Sequence, residues 1–185
     1  MIKRSLNRLL CLILIVFGIQ MSATAINSEN IILLELPYGV VEIELMPDVA
    51  PNHVTRIKEL VRQGFYDGLL FHRVIPGFMA QTGDPTGTGT SGSGQNLKAE
   101  FSKTPHVRGT VSMARAMDPN SADSQFFIVF EDAPHLNGQY TVFGKVTKGM
   151  EYVDQIKKGS SGSGTVTNPD KIVSMKIAAD ASKTK

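Results

Sequence analysis

Residues 71–84 combine side chains that predict non-covalent binding and polarisation of a ligand. They read FHRVIPGFMAQTGD, so Arg73 and Gln81 are interleaved with large apolar residues. Residues 124–130 (SQFFIVF) follow about forty positions later and add another glutamine beside two phenylalanines. Neither run holds a nucleophile beside a base or a set of metal ligands. We therefore expect a site that binds an apolar group and offers hydrogen-bond donors to it, without breaking a covalent bond.

Arg73 is the residue on which this interpretation depends most. Its guanidinium is permanently charged and presents a planar fork of donors. Alternation along a strand puts Met79 and Gln81 on one face, which brings an apolar contact and an amide to one pocket. Gln125 and Phe127 repeat that arrangement in the second run. A salt bridge from Arg73 to an acidic side chain is the alternative interpretation.

A predominantly β fold must position these side chains, because short apolar segments recur with turn residues between them. Only two segments have helical spacing, one after Pro51 that ends near Gly64, and one over residues 150–157. They do not alternate with the strands as βαβ units would. We predict an antiparallel sheet closed into a barrel, with helices over its ends. The predicted strands cover residues 30–36, 40–45, 69–74, 78–81, 109–113, 125–130, 140–146 and 172–178.

Residues 1–25 have the composition of a secretory signal peptide. A start with three basic residues precedes an apolar run over residues 9–19 and a small-residue end, with cleavage expected after Ala25. The alternative is an uncleaved anchor, but eleven apolar residues span only roughly 16 Å as a helix. Cleavage leaves residues 26–185 as a single exported domain. It also removes Cys11, the only cysteine, so no disulfide is expected.

The net charge gives no electrostatic reason to propose nucleic acid or an anionic membrane as a partner. The 185 residues carry 19 basic and 17 acidic side chains, and three of the basic ones lie in the leader, which has no acid. Residues 26–185 therefore hold 16 basic against 17 acidic side chains, a formal net charge of −1. We expect no nucleic-acid partner and no stable association with a membrane after cleavage.

Two segments rich in glycine, serine and threonine, residues 86–94 and 159–164, are predicted to be flexible surface loops. Residues 87–92 formally match the G-x-G-x-x-G pattern. A dinucleotide site also needs a preceding strand and a following helix, and the sequence offers no helix start there. The histidines do not share metal-ligand spacing, and strand alternation turns His72 away from Arg73. We expect no metal and no cofactor.

Four segments resemble the signature of cyclophilin-type peptidyl-prolyl cis-trans isomerases. They are FHRVIPGFMAQTGD, SMARA (residues 112–116), SQFF and TVFGKV (residues 141–146), in the order and spacing of that family. The resemblance covers about residues 30–178 and is similar to that of periplasmic bacterial members. It implies a closed eight-stranded antiparallel β-barrel capped by two α-helices, isomerase (rotamase) activity on proline-containing polypeptides, and a periplasmic location. We further expect a monomer.

The resemblance also implies roles for individual residues. Alternation alone turns Phe126 away from the pocket and gives Phe127 the pocket face, whereas the family pattern places Phe126 there, and we follow the family pattern. The implied catalytic residues are Arg73, Gln81 and Phe78. The implied substrate-binding residues are Met79, Phe126, Phe127 and Leu136 around the proline ring, Ala114 and Arg115 along the residues before proline, Gln125 in a neighbouring subsite, and His135 and Tyr140 at the rim.

Three positions depart from the best-known family pattern. His135 stands where a tryptophan is frequent, so we expect weak cyclosporin binding for lack of an indole N–H donor. Tyr140 replaces a pocket histidine, and Arg115 replaces an asparagine of eukaryotic members. The expected function is acceleration of X–Pro rotation during folding of exported proteins. The alternative is a proline-segment binding module or chaperone on the same fold that does not need turnover.

Overall fold

The computed structural model describes residues 28–181, so the predicted leader and its cleavage site lie outside the described residues. Helices α1 (Pro51–Arg62), α2 (Met150–Val153) and α3 (Ala178–Ala181) and a 3₁₀-helix at Pro134–Leu136 accompany the strands. Every predicted strand is present, with ends that shift by a few residues. The strands are β1 (Ile31–Leu36), β2 (Gly39–Leu45), β3 (Arg73–Ile75), β4 (Met79–Thr82), β5 (Thr110–Met113), β6 (Phe126–Val129), β7 (Val142–Lys148) and β8 (Ser174–Ile177).

The eight strands form one antiparallel sheet in the order β3-β4-β6-β5-β7-β2-β1-β8, curled into a half-barrel. The predicted closure of the barrel is wrong, because no ladder joins β3 to β8 within residues 28–181. Single bridges, Arg73 to Thr165 and Leu70 to Lys171, occupy that gap. The segment that faces β3 there is rich in glycine and serine, which form poor ladders. The eight antiparallel strands are confirmed.

Helix α1 is the predicted helix over one sheet face. Its stripe of Val54, Ile57, Leu60 and Val61 is buried, as the spacing predicts. Its N-terminus has no side-chain cap of its own. The carboxylate of Glu100 accepts hydrogen bonds from the backbone N–H groups of residues 52 and 53 instead, each at 3.1 Å. The second predicted helix, residues 150–157, shrinks to the single turn of α2.

Strand alternation divides the buried residues into two clusters. The main core, under α1, takes Ala80 from β4 and Phe126 and Ile128 from β6. The smaller cluster takes the alternate positions of the same strands and adds residues of the 133–136 segment. It consists of Met79, Phe127, Val129, Ala133 and Leu136. The face of the sheet that carries this smaller cluster is where the predicted site residues meet.

Candidate active site

A groove of about 690 Å³ opens over the smaller apolar cluster. Ten of the twelve predicted site residues line it, so the structure brings together residues that are up to 67 positions apart in the chain. The remaining two, Gln125 and Phe126, do not line it. The ten are Arg73, Phe78, Met79, Gln81, Ala114, Arg115, Phe127, His135, Leu136 and Tyr140.

Phe126 lies on the other face of the sheet. It is fully buried in the main core, with its ring edge-on to Tyr66 at 5.5 Å and to Phe143 at 6.0 Å between centroids. Phe127 lines the groove. The expectation that Phe126 walls the pocket is therefore corrected, because β6 keeps the regular alternation that assigns its odd-numbered residues to the groove side.

One end of the groove is an apolar pocket. Phe127, Met79 and Leu136 are nearly fully buried and form its floor. The ring of Tyr140 meets Phe127 edge-on at 5.9 Å, and His135 lies 5.4 Å from Phe78 at the opposite rim. These distances are typical of aromatic pairs that hold one another in place. The pocket therefore suits a compact apolar ring.

Buried His106 supports this floor. Its ring stacks on Phe127 at 6.2 Å, and its Nε2 lies 2.9 Å from the Ser112 hydroxyl. Burial lowers the pKa of the His106 imidazole, and the hydrogen bond with Asn137 opposes that shift only in part. The ring is therefore neutral near pH 7 and serves as a flat packing surface.

The polar wall of the groove is a chain of hydrogen bonds that begins at Arg73. The Arg73 Nη1 donates to Gln81 Oε1 at 3.1 Å, and Gln81 Nε2 donates to Gln125 Oε1 at 2.9 Å. Gln125 Nε2 in turn donates to the carbonyls of Gly89 and Ser91. Gln125 thus lies in an adjoining cavity of about 440 Å³ rather than in the main groove.

Arg73 makes no ion pair with any residue between 28 and 181. Its Nε donates to the carbonyl of Ser163 at 3.1 Å, so two of its nitrogens are engaged by neutral acceptors on opposite sides. The salt-bridge alternative is therefore absent from the described part of the chain. The guanidinium therefore lines the groove beside the apolar pocket with no counter-ion among residues 28–181.

The Arg115 guanidinium lies along the rim of the groove. It sits 4.7 Å from the centre of the Tyr140 ring and donates to the carbonyl of Gln139 and to that of Ala116. A cation over an aromatic face is attractive, and the two carbonyls fix its direction. The side chain therefore braces the ring of Tyr140 and the adjoining loops at the edge of the groove.

Sequence reasoning missed several residues of the groove. His72 lines it, although alternation predicts that it faces away. The reason is that regular pairing begins only at Arg73, so the alternation rule does not reach His72. Burial lowers the pKa of this imidazole, although the charge of Asp84 opposes the shift. The other missed residues are Gly87, Thr88, Gly89 and Thr165.

The glycine-rich segment at residues 86–94 lies at the surface, as predicted, and also forms one wall of the site. The buried carboxylate of Asp84 accepts N–H hydrogen bonds from Thr86, Gly89 and Ser91 at 2.7, 2.6 and 3.2 Å. Burial by itself would raise the pKa of Asp84, but the hydrogen bond from the Thr86 hydroxyl at 2.8 Å together with these N–H groups outweighs it and lowers the pKa to about 2. Asp84 therefore stays ionised at neutral and mildly acidic pH.

A second carboxylate holds the far half of the same segment. Asp123 accepts hydrogen bonds from the N–H groups of Ser93 and Gly94 at 2.9 and 2.8 Å. No helix follows the segment, so its glycines do not form a phosphate cradle. For the half of the segment that Asp84 holds, the sequence did offer a signal. Asp84 and Thr86 have the spacing of a turn in which the aspartate side chain accepts a backbone N–H, and this was not used in the prediction.

Among residues 28–181, no three His, Cys, Asp or Glu side chains are grouped so that they could hold a metal ion. No helix within those residues is long and apolar enough to cross a bilayer.

Known proteins resemble this chain in sequence. The family model described as "Cyclophilin type peptidyl-prolyl cis-trans isomerase/CLD" matches residues 31–177. A protein of Brucella suis biovar 1 (strain 1330) named "Probable peptidyl-prolyl cis-trans isomerase" is 56% identical over 176 residues, which cover 88% of this chain and 90% of the relative. Peptidyl-prolyl cis-trans isomerase B of Bacillus subtilis (strain 168) is 51% identical over 121 residues, covering 64% of this chain and 84% of the relative.

Solved structures of the same kind share the fold. A cyclophilin from Hirschia baltica is 30% identical with a TM-score of 0.73, covering 83% of this chain and 75% of that one. A cyclophilin-type isomerase from Cryptosporidium parvum, solved in the presence of the dipeptide Ala-Pro, is 33% identical with a TM-score of 0.73, covering 80% of this chain and 98% of that one. The family model runs from the first residue of β1 to the last residue of β8. The chain therefore belongs to the cyclophilin-type peptidyl-prolyl cis-trans isomerases.

Proposed function

We propose that this enzyme accelerates X–Pro rotation without covalent chemistry, with Arg73 as the donor to the prolyl nitrogen. The observation that carries the proposal is a charged guanidinium with no counter-ion among the described residues, held beside a pocket that suits a proline ring. The coupling of that donor to that pocket is the feature that an isomerase needs and a simple binder does not.

The barrier to be lowered is electronic. An X–Pro amide resists twisting because rotation destroys resonance, at a cost of ~18–20 kcal/mol. In the twisted state the prolyl nitrogen lone pair is localised and can accept a hydrogen bond. A donor that meets this lone pair stabilises the twisted state selectively, and only such differential stabilisation raises the rate. Arg73 is a permanently charged donor that lines the groove beside the apolar pocket, and the guanidinium of Arg115 donates instead to carbonyls at the rim.

The apolar pocket would hold the proline ring in place. Phe127, Met79 and Leu136 hold the ring while the preceding carbonyl turns, and Phe78 covers it from the side. An apolar enclosure also excludes water, which would otherwise solvate the planar amide and weaken the guanidinium's effect. Gln81 and the backbone at Ala114 and Arg115 would hold the polypeptide on either side of the ring. The adjoining cavity at Gln125 would take a side chain that precedes proline.

The direct test is the rate of cis-to-trans conversion of a short X–Pro peptide. The wild-type protein should accelerate conversion of the peptide, and the Arg73→Ala variant should do so far more weakly, with a residual rate that stays measurable. An unaccelerated reaction with folded wild type would refute the enzymatic proposal. Titration of a proline peptide into Arg73→Ala measures binding apart from turnover: retained affinity with lost acceleration assigns Arg73 to turnover, whereas a binding module would show affinity for the peptide without acceleration even as wild type.

Cyclosporin affinity tests the role of the pocket rim. His135→Trp is expected to raise affinity by about tenfold, because an indole adds both apolar area and an N–H donor at the rim. His135→Phe is the matched control, since it adds ring area without a donor. Isothermal titration of both variants against wild type checks this. Equal affinity for the three proteins would show that the rim residue does not limit cyclosporin binding.

We further propose that the protein is exported to the periplasm, acts there as a monomer and assists folding of other exported proteins. The support is the composition of residues 1–25, a basic start, an apolar run and a small-residue end. Intact-mass measurement of protein from the periplasmic fraction should give a mature chain that begins at Ile26. A mass that retains residues 1–25 would contradict cleavage and favour an anchored form.

A further inference from the structure

The hydrogen bonds behind Arg73 form a relay whose direction is fixed from its far end. Backbone carbonyls accept hydrogen bonds and cannot donate them. Gln125 contacts two of them, Gly89 O at 3.1 Å and Ser91 O at 2.8 Å, so it must present its Nε2 there and its Oε1 to Gln81. Gln81 must then offer its Nε2 to Gln125 and its Oε1 to Arg73. Only one orientation of the two amides satisfies the whole chain.

The two residues that supply those carbonyls are themselves held by one buried carboxylate. Asp84 Oδ2 accepts the N–H groups of Gly89 at 2.6 Å and of Ser91 at 3.2 Å. Its Oδ1 accepts the N–H of Thr86 at 2.7 Å, which fixes the start of the turn. Asp84 is only 1% exposed, so water does not replace these contacts readily. The position of both carbonyls therefore depends on Asp84.

Loss of this anchor would reach the guanidinium through the amides. Without two fixed carbonyls, the Gln125 amide can turn over and present its Nε2 to Gln81. Gln81 would then turn over in response and offer an N–H₂ group to Arg73, which is itself a donor and accepts no hydrogen bond. The guanidinium would lose its contact with Gln81 and keep only the one with Ser163.

We propose that Asp84 is a positioning residue for Arg73, acting through the carbonyls of Gly89 and Ser91 and the amides of Gln125 and Gln81. This inference rests on the proposed function, because it gives Arg73 its catalytic role. Asp84 touches neither the groove's apolar pocket nor the bound peptide in that scheme. Its effect is to aim the donor, so it should alter the rate of the chemical step more than the binding of substrate.

Asp84→Asn is the test, since it keeps the shape of the side chain but replaces one acceptor oxygen with a donor. The expected result is a fall of about tenfold in kcat with KM within about twofold of wild type, because a misplacement of a catalytic group by less than 1 Å should cost less than the ~10²-fold of a full 1 Å. The kinetic parameters are obtained from peptide conversion at limiting and saturating substrate. Gln125→Met, which cuts the relay beyond the Asp84 turn, should give the same loss of kcat on a Gly-Pro peptide, which places no side chain in the cavity at Gln125, even where Asp84→Asn folds poorly.

A double-mutant cycle separates positioning from general damage. In an Arg73→Ala background, Asp84→Asn and Gln125→Met should cause no further fall in kcat, because the group that they aim is gone. Glu100→Gln is the matched control, because it replaces another carboxylate that accepts backbone N–H groups, in this case at the start of α1. It should lower the melting temperature but leave kcat unchanged.

The outcomes separate this inference from the function on which it rests. Full activity of Arg73→Ala would overturn the proposed catalytic role of Arg73 and with it the relay's purpose. If Arg73→Ala has low activity, two results would overturn the positioning role alone. One is an unchanged kcat in Asp84→Asn. The other is a loss of kcat from Asp84→Asn that is as large in the Arg73→Ala background as in wild type.

Discussion

Arg73→Ala is expected to lower kcat/KM for an X–Pro peptide by about 10²–10³-fold, the effect of removing one preorganised donor from a transition state, or ~3–4 kcal/mol. The reason is that Arg73 lies in the groove beside the apolar pocket without a counter-ion among residues 28–181, whereas the other guanidinium of the groove, that of Arg115, donates to the carbonyls of Ala116 and Gln139 at the rim. The pocket residues are unchanged, so KM should move much less than kcat. Exchange measurements on a peptide with a resolved cis population give both constants.

Arg73→Lys is the matched control for charge. A lysine ammonium keeps the positive charge but is compact and strongly hydrated, and it cannot contact Gln81 Oε1 and the Ser163 carbonyl as a planar fork does. We expect activity between that of wild type and Arg73→Ala. Activity of Arg73→Lys equal to wild type would mean that charge alone suffices. A kcat/KM for Arg73→Ala within threefold of wild type would contradict the assigned role.

Alanine substitution at the neighbouring residues Phe126 and Phe127 should change different quantities, stability for the first and KM for the second. Phe126→Ala removes a fully buried ring between Tyr66 and Phe143, so we expect the free energy of unfolding to fall by about 3–5 kcal/mol. The KM of the folded fraction should stay close to that of wild type. Denaturant unfolding, with kinetics at a temperature where the variant is folded, provides both values.

Phe127→Ala should raise KM strongly and lower the stability of the fold less than Phe126→Ala does. The ring forms the floor of the pocket, so its removal enlarges the space meant for proline and should raise KM by about tenfold or more. The cost in stability should be smaller than for Phe126→Ala, because one side of the ring borders the groove rather than core. A larger rise in KM for Phe126→Ala than for Phe127→Ala would contradict the placement of both residues.

The strands and the long helix could be predicted because their signals are local. Apolar periodicity and turn residues marked all eight strands and α1, and alternation alone placed Phe127 in the groove. The family pattern was less accurate than this rule at Phe126. The groove residues Phe78 and Met79 were likewise within reach, since they lie in the same short run as Arg73.

The missed features depend on contacts between distant parts of the chain. The ordered wall at residues 86–94 depends on Asp123, about thirty positions further on, as well as on Asp84. The barrel would close only if residues 159–171 paired with β3 along its length. They form only isolated bridges near it, so the sheet stays open there. Sequence patterns give the propensity of each segment, but they do not give the partner that the segment meets.

The pairing of β1 with β8 has a consequence for how the chain acquires its structure. Leu34 of β1 lies opposite Met175 of β8, so the first strand of the sheet gains one of its two neighbours only from the last strand. A chain that is synthesised or translocated from its N-terminus cannot complete this sheet until β8 is available. Pairing over such a sequence separation also forms slowly. Until β8 has formed, the edge of β1 that faces it stays unpaired, so a chain cut before residue 174 would expose the backbone N–H and C=O groups of that edge.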